Sequence, residues 1–267
     1  MKKFYIKLRN NPRYFFTGLL LTPFILAYMG LSVIDLWTTY VISDHRLSNL
    51  DFKVWSHAGF IKDSNFELDS MESFEKAKSN GAKGIEIDVI YDVDMDEFIV
   101  SHDFPYKLHN NEPLKLDSVF TVYKEEYNYW LDFKNLKDLE ETEVKESFKN
   151  LVSLLEKKNV SQDFVLIESV HLKNLSYFTK NNFYTSWWIT PSKSRYLSHL
   201  RNYSHKLKYI LGEYSSLSMP YKYYERVEEP MNNIPVNLWT INDKDFFHKV
   251  KNKKQIKIIL TDNNWYD

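Results

Sequence analysis

Two features of the sequence predict an α/β fold, a (β/α)8 TIM barrel preceded by one N-terminal transmembrane helix. After residue 53, eight apolar runs bounded by turn residues alternate with helical patterns, as expected of a parallel barrel. Before them lies an apolar segment without a formal charge. The eight expected strands are Val54 to Gly59, Gly84 to Tyr91, Tyr129 to Phe133, Phe164 to Ser169, Tyr184 to Ile189, Tyr209 to Tyr214, Val236 to Ile241 and Lys257 to Thr261.

The N-terminal segment from Tyr14 to Ile34 is about 21 residues long, enough for a helix that spans a bilayer. Five cations precede it and few follow it, which by the positive-inside tendency predicts a cytoplasmic N-terminus and an extracytoplasmic barrel. Two alternatives are a signal peptide cleaved near Gly30-Leu31-Ser32 and a buried core helix. The expected organisation is a cytoplasmic basic tail over 1–13, a transmembrane anchor over 14–37, a linker over 38–52 and the barrel over 53–267.

Composition supports this organisation and excludes some functions. The chain has 267 residues, 43% of them hydrophobic and 27% charged, which suits one barrel-sized domain with a short appendage. The net charge is -1, but the basic tail carries five cations, so the remainder is acidic and no nucleic-acid partner is expected. There is no cysteine, which excludes disulfides, thiolate nucleophiles and sulfur-ligated zinc.

The helical patterns between the strands start and stop where a barrel needs them. Ser70 to Asn80 opens with an N-cap serine, and Thr142 to Lys157 places apolar residues at helical spacing. One additional strand, Glu97 to Ser101, follows the second strand too closely for a helical crossover. We therefore expect it to pair with the second strand as a hairpin.

Charged residues fall at the C-terminal ends of the expected strands, where barrels carry their functional sites. Glu86 and Asp88 are two residues apart on the second strand, so their side chains share one face. Asp132, on the neighbouring strand, would complete a set of three carboxylates. Such a set favours Mg2+ or Ca2+ over zinc, although a Glu-x-Asp pair on its own is more often solvent-exposed.

Two of the eight histidines leave strands at the same end of the barrel. His57 ends the first strand, and His102 follows the hairpin strand. A phosphodiester substrate requires a base and an acid, and imidazole serves in both roles near neutral pH. Lys134 could stabilise the negative charge that develops on the phosphoryl group.

Several short runs of the sequence, in order over about residues 54 to 262, resemble the glycerophosphodiester phosphodiesterase family. They are His57-Ala58-Gly59, Asp69-Ser70-Met71-Glu72-Ser73-Phe74, Gly81 to Val89, Val100-Ser101-His102-Asp103, Leu131-Asp132-Phe133-Lys134, Leu238-Trp239-Thr240-Ile241-Asn242 and Leu260-Thr261-Asp262. The resemblance implies a phosphoric diester hydrolase that acts on glycerophosphodiesters or on related phospholipid or polymer phosphodiesters.

The same resemblance implies roles for individual residues. One divalent cation, Mg2+ or Ca2+, would be held by Glu86, Asp88 and Asp132, and the catalytic pair would be His57 and His102. Lys134 and Trp239 would contact the substrate. A neighbouring hydroxyl of the alcohol would attack phosphorus first, giving a cyclic phosphate that water can open.

The sequence departs from the family pattern at several positions. Ala58 replaces an arginine that binds phosphate, and Lys134 or Lys62 could take over that contact. Asp132 stands where most members have glutamate, an arrangement also similar to the sphingomyelinase D branch. Glu168 replaces an uncharged polar residue, which leaves open a substrate contact or a structural ion pair. Ala58 also motivates an alternative, a pseudoenzyme that binds a phospho-headgroup or a wall polymer without turnover.

Overall fold

The computed structural model describes residues 12–42, 53–59, 66–109, 111–190, 195–227, 231 and 233–266 of the chain. The chain divides into two compact units, Met1–Asp44 and His45–Asp267. Lys62 and most of the expected linker lie outside the described residues, as do residues 1–11 of the basic tail.

The N-terminal unit contains one long helix, α1 (Pro12–Ile42). Its segment Leu20–Tyr40 is long and apolar enough to cross a membrane, which agrees with the length expected of the anchor. The hydroxyls of Ser32, Thr38 and Thr39 donate to backbone carbonyls one turn earlier, so these polar groups are satisfied within the helix. The helix continues to Ile42, five residues into the expected linker.

The second unit is a closed barrel of eight parallel strands. In chain order its elements are β1 (Val54–Ser56), α2 (Met71–Ser79), β2 (Gly84–Asp92), β3 (Glu97–Val100), β4 (Leu108–His109), β5 (Glu112–Pro113), α3 (Leu116–Tyr123), β6 (Asn128–Phe133), α4 (Glu141–Lys158), β7 (Val165–Ser169), α5 (Leu172–Lys180), β8 (Tyr184–Trp188), α6 (Arg195–Gly212), β9 (Ser216–Pro220), α7 (Tyr221–Val227), β10 (Val236–Trp239), α8 (Lys244–Val250) and β11 (Ile256–Thr261). The strand order is β1-β11-β10-β9-β8-β7-β6-β2, and pairing of Ser56 with Ile85 closes the barrel. The predicted fold class is confirmed.

The predicted hairpin and the first predicted helix are also present. Strand β3 pairs with β2 antiparallel, with Val100 opposite Val89. Helix α2 begins after Ser70, whose side chain accepts from the backbone of Ser73, while the Ser73 hydroxyl accepts from the Ser70 backbone. This capping box fixes the start of the helix that follows the β1 loop.

Two kinds of side chain fill the barrel interior. An apolar cluster comprises Trp55, Trp130, Leu166, Ile258 and Leu260. Gly84 is required beside it, because a Cβ at this position would lie 2.1 Å from the Trp55 ring. On the opposite strands the interior is polar, since Asn237 donates to the hydroxyls of Ser186 and Ser216.

The sixth predicted strand is wrong in position. Tyr209 to Tyr214 was expected to be a strand, but α6 continues to Gly212 and the strand is β9, Ser216–Pro220. The apolar run belongs to the buried face of the helix, where Tyr209 and Ile210 pack. The true strand lacks an apolar interior face because its serines face the polar half of the barrel.

Candidate active site

Strands β2 and β6 bring three carboxylates together at the C-terminal end of the barrel. Asp88 and Asp132 are paired in the parallel register, and Glu86 shares a face with Asp88. One ligand oxygen from each of the three residues lies within 4.8 Å of the others, and all three side chains are buried. Three carboxylates buried at this spacing can hold a divalent cation.

Backbone N–H groups donate to two carboxylates at this end of the barrel, those of Glu86 and Asp69. The Ala58 N–H donates to Oε2 of Glu86 over 2.8 Å, which connects the β1 loop to the acidic cluster. Asp69 accepts from the Asp88 N–H through Oδ1 at 3.2 Å. Asp69 is itself buried, so it adds a fourth carboxylate beside the first three.

Lys134 provides a cation within this acidic cluster. Its Nζ lies 2.7 Å from Oδ1 of Asp88 and also contacts Asp132. The contact with Asp88 is an ion pair without hydrogen-bond alignment, since Asp88 Oδ1 has no hydrogen bond among the described residues. Burial lowers the pKa of Lys134, but the carboxylates of Asp132, Asp88 and Glu86 outweigh burial and raise it. Lys134 is therefore charged at neutral pH.

The carboxylates themselves carry more negative charge than one lysine can balance. Burial raises the pKa of Glu86 and Asp69, and the negative charge of Asp88 raises both further. Burial also raises the pKa of Asp132, although Lys134 opposes this. A bound divalent cation would remove this imbalance, so the donors and their charge fit the group that the sequence predicts.

His57 is held by Asp262, which directly follows the barrel's last strand. Its Nδ1 lies 2.8 Å from Oδ1 of Asp262, and Asp262 also accepts from the Asn242 side chain through Oδ2. Burial raises the pKa of Asp262, but hydrogen bonds and charge from His57, together with Asn242, outweigh burial and lower it. Asp262 is thus ionised at neutral pH and can fix the orientation of the imidazole.

His102 has a more exposed environment on the loop after β3. Its Nδ1 lies 2.9 Å from Oδ2 of Asp103, and both side chains are largely open to solvent. His57 and His102 nevertheless face one cavity of about 610 Å3, whose wall also includes Asp69 and Asp88. The structure therefore brings both predicted histidines and the acidic cluster to one site.

Glu168 and Trp239 lie on strands further around the barrel, outside the described lining of that cavity. Glu168 is opposite Asp132 in the register and is buried, with Oε2 lacking a hydrogen-bond partner among the described residues. Burial raises its pKa, as does the charge of Asp132. The Trp239 ring stands edge-on to Trp188 at 5.1 Å and packs against the apolar interior cluster.

Three residues contribute to the site beyond those expected as its functional groups: Asp69, Asn242 and Asp262. Asp69 and Asn242 follow no periodic pattern that would reveal a role. Asp262 follows the last strand, a position at which a functional side chain is expected, but its partner is 205 residues away. The arginine expected from the family is replaced by Ala58, which is buried and lines the cavity.

The fold and the site together define a parallel (β/α)8 barrel with a cluster of buried carboxylates and two histidines at one cavity. Several solved structures that are similar to it in fold are described as glycerophosphodiester phosphodiesterases. One from Parabacteroides distasonis has a TM-score of 0.59 and 18% identity, over 79% of this chain and 92% of that chain. A protein from Galdieria sulphuraria, assigned provisionally to that activity, has a TM-score of 0.61 and 16% identity, over 80% and 95%.

A third similar structure is a phosphodiesterase from Oleispira antarctica in complex with its product sn-glycerol-3-phosphate. It has a TM-score of 0.56 and 16% identity, over 79% of this chain and 92% of that chain. No protein-family model and no curated protein sequence matches the chain. The similarity is therefore one of fold, at low sequence identity.

Proposed function

We propose that the protein is a metal-dependent phosphoric diester hydrolase that acts on glycerophosphodiesters or on related phospholipid or polymer phosphodiesters. The observation that carries this proposal is the buried triad of Glu86, Asp88 and Asp132 beside a cavity faced by His57 and His102. The fold shared with solved glycerophosphodiester phosphodiesterases supports it.

Glu86, Asp88 and Asp132 would hold one divalent cation, Mg2+ or Ca2+, since all their donors are oxygen. When bound, the cation would neutralise phosphoryl oxygens and so favour attack on phosphorus. Lys134 lies beside two of the three ligand residues and would stabilise the charge that develops on the phosphoryl group. Lys134 also supplies positive charge in a site where Ala58 replaces arginine.

His57 would act as the general base. Because Asp262 accepts a hydrogen bond from Nδ1 of His57, the neutral imidazole keeps its proton on Nδ1 and presents the lone pair of Nε2. In the first step Nε2 takes the proton of a neighbouring hydroxyl of the alcohol, whose oxygen attacks phosphorus. His102 protonates the departing alkoxide, which leaves a cyclic phosphate. In the second step water opens the ring, and the two histidines exchange roles.

Two further side chains would contact the substrate. Trp239 offers an aromatic edge and an indole N–H that has no hydrogen-bond partner among the described residues. Glu168 offers a buried oxygen that could accept from a substrate hydroxyl. These contacts would favour an alcohol that carries hydroxyl groups.

The helix α1 would anchor the enzyme in a membrane, with the N-terminus in the cytoplasm and the barrel on the extracytoplasmic side. The support is the length and composition of Leu20–Tyr40 and the cations that precede it. A membrane location suits a substrate derived from lipid.

A substrate panel tests the activity. The purified full-length protein, with Mg2+ or Ca2+, is incubated with glycerophosphodiesters and lysophospholipids, and products are followed by phosphorus NMR beside a His57→Ala control. Release of alcohol by the wild type alone supports the proposal, and a cyclic phosphate signal identifies the first step. Binding without release in every case would favour the pseudoenzyme alternative that Ala58 suggests.

A further inference from the structure

Four exposed apolar side chains lie on segments that also contribute residues to the wall of the cavity. They belong to two segments, one before helix α2 and one after strand β3, and we call them the apolar rim. The exposed fractions are 44% for Phe66, 38% for Leu68, 76% for Phe104 and 58% for Leu108. Exposed apolar side chains grouped beside a site mark a surface that binds a membrane, a protein or a ligand.

The two segments of the apolar rim are joined to each other. Lys107 and Glu67 form an ion pair of 2.8 Å between them. Leu68, Pro105 and Lys107 also line the cavity that His57 and His102 face. The rim is thus the outer edge of the site, and whatever contacts it also lies next to the entrance for substrate.

The second segment is held in position from the body of the barrel. The Tyr106 hydroxyl donates to Oδ2 of Asp92 over 2.7 Å, and the Phe104 ring stands edge-on to Tyr106 at 5.2 Å. Phe104 therefore projects from a fixed base, although three quarters of its surface is exposed.

We propose that the apolar rim inserts into the surface of a phospholipid bilayer and that the substrate is an amphiphilic phosphodiester residing in that bilayer. This inference rests on the proposed function, whose substrate class it narrows. A phosphodiester with one acyl chain could keep that chain in the lipid while its phosphate enters between the histidines and the carboxylates.

The sequence of the chain indicates that a bilayer is what contacts the apolar rim. Leu20–Tyr40 has the length and composition to cross a membrane, and residues 43–52 are all that separate the helix end from the first barrel residue described. Even fully extended, this connection spans at most about 40 Å, so a bilayer that holds the helix is always near the barrel.

A comparison of two substrates tests the consequence for activity. The full-length protein is reconstituted in phosphatidylcholine vesicles, and rates are measured on lysophosphatidylglycerol in the vesicles and on soluble glycerophosphocholine. For the double variant Phe104→Ser and Leu108→Ser we expect the ratio of the lipid rate to the soluble rate to fall about tenfold. Val122→Ser is the control, because Val122 is also apolar and about half exposed but lies at the C-terminal end of α3. An unchanged ratio in the double variant would overturn the proposal.

A spectroscopic measurement tests whether the apolar rim contacts lipid, and it does not depend on enzymatic turnover. Because the chain contains no cysteine, Leu108→Cys and Val122→Cys can each carry a single environment-sensitive dye. We expect nitroxide-labelled lipid to quench the dye at 108 and to leave the dye at 122 unquenched. A dye at 108 that is shielded from water but not quenched would show that protein covers the rim, and this too would overturn the proposal. Loss of the proposed enzymatic function would instead appear as no hydrolysis of either substrate with quenching at 108 intact.

Discussion

The Nδ1 atom of His57 lies 2.8 Å from Oδ1 of Asp262, which joins the end of the barrel's first strand to the end of its last. These strands are neighbours in the sheet, with Ser56 opposite Thr261. The contact therefore follows from barrel closure, and it gives the imidazole a fixed orientation at the cavity.

Replacing Asp262 by asparagine tests that contact. The amide can donate to Nδ1 and so place the proton on Nε2, which removes the base. We expect kcat to fall about 100-fold with little change in KM. Asp103→Asn is the matched control, because Asp103 and His102 are largely exposed and a less fixed pair should matter less. Equal losses in kcat for the two variants would contradict the assignment of His57 as the oriented base.

Adding a divalent cation tests the acidic triad by stability alone. In the cation-free baseline, measured in chelator at pH 7.5, the carboxylates repel one another. Mg2+ or Ca2+ added in excess should therefore stabilise the folded state. At a concentration about 100 times the Kd, we expect the melting temperature to rise by about 5 °C. The rise should disappear in Asp88→Asn, a change that removes one ligand charge with little change in volume. A rise of the same size in that variant would place the cation elsewhere.

Substitution of Glu168 by glutamine should change the stability of the fold at high pH but not at low pH. Burial and the charge of Asp132 raise the pKa of Glu168 in the folded state, so ionisation weakens the fold. The stability that the protonated group supports is fully present below its unfolded pKa and is lost as pH rises through the folded pKa. In chelator, Glu168→Gln should therefore leave the urea midpoint unchanged near pH 4 and raise it at pH 8. A midpoint that is lower at pH 8 would mean that the carboxylate has a stabilising partner.

Removal of Lys134 tests the buried charge balance. Lys134→Met keeps the length of the side chain but leaves Asp88 and Asp132 without their cation. In chelator at pH 8 we expect the free energy of unfolding to fall by about 2–3 kcal/mol, below the full cost for a buried pair because Lys134 is partly exposed. Lys145→Met, which breaks an exposed pair with Glu141 on one helix, should leave the urea midpoint unchanged. A loss as small as in that control would show that the acidic cluster does not depend on Lys134.

Much of the barrel can be predicted because local patterns report burial directly. In β2, Ile85, Ile87 and Val89 alternate with Glu86 and Asp88, so the sequence shows both the strand and the face that carries the carboxylates. The β2–β3 hairpin is equally local. By contrast, the sequence does not reveal β9, because Ser216 accepts a hydrogen bond from Asn237, which lies on a later strand. The strand propensity of a short segment cannot reveal a hydrogen-bond partner that lies on another strand.

The same distinction applies to the site. Glu86, Asp88 and Asp132 stand out because charges inside apolar strands require an explanation. Asp69 gave no such signal, since it lies in a loop and its role depends on accepting the Asp88 N–H across the fold. The environment of Lys134 likewise depends on the packing of two strands and cannot be judged from its position in the sequence.

The link between the first and last strands also has a consequence for biosynthesis. His57 is synthesised 205 residues before Asp262, an interval of about 10–40 s at ordinary rates of translation. During that interval the nascent chain can contain both histidines and all three triad carboxylates while the imidazole still lacks its acceptor. Under the proposed function, catalytic competence would therefore arise only when synthesis of the barrel is complete, so an unfinished chain would not act on phosphodiesters.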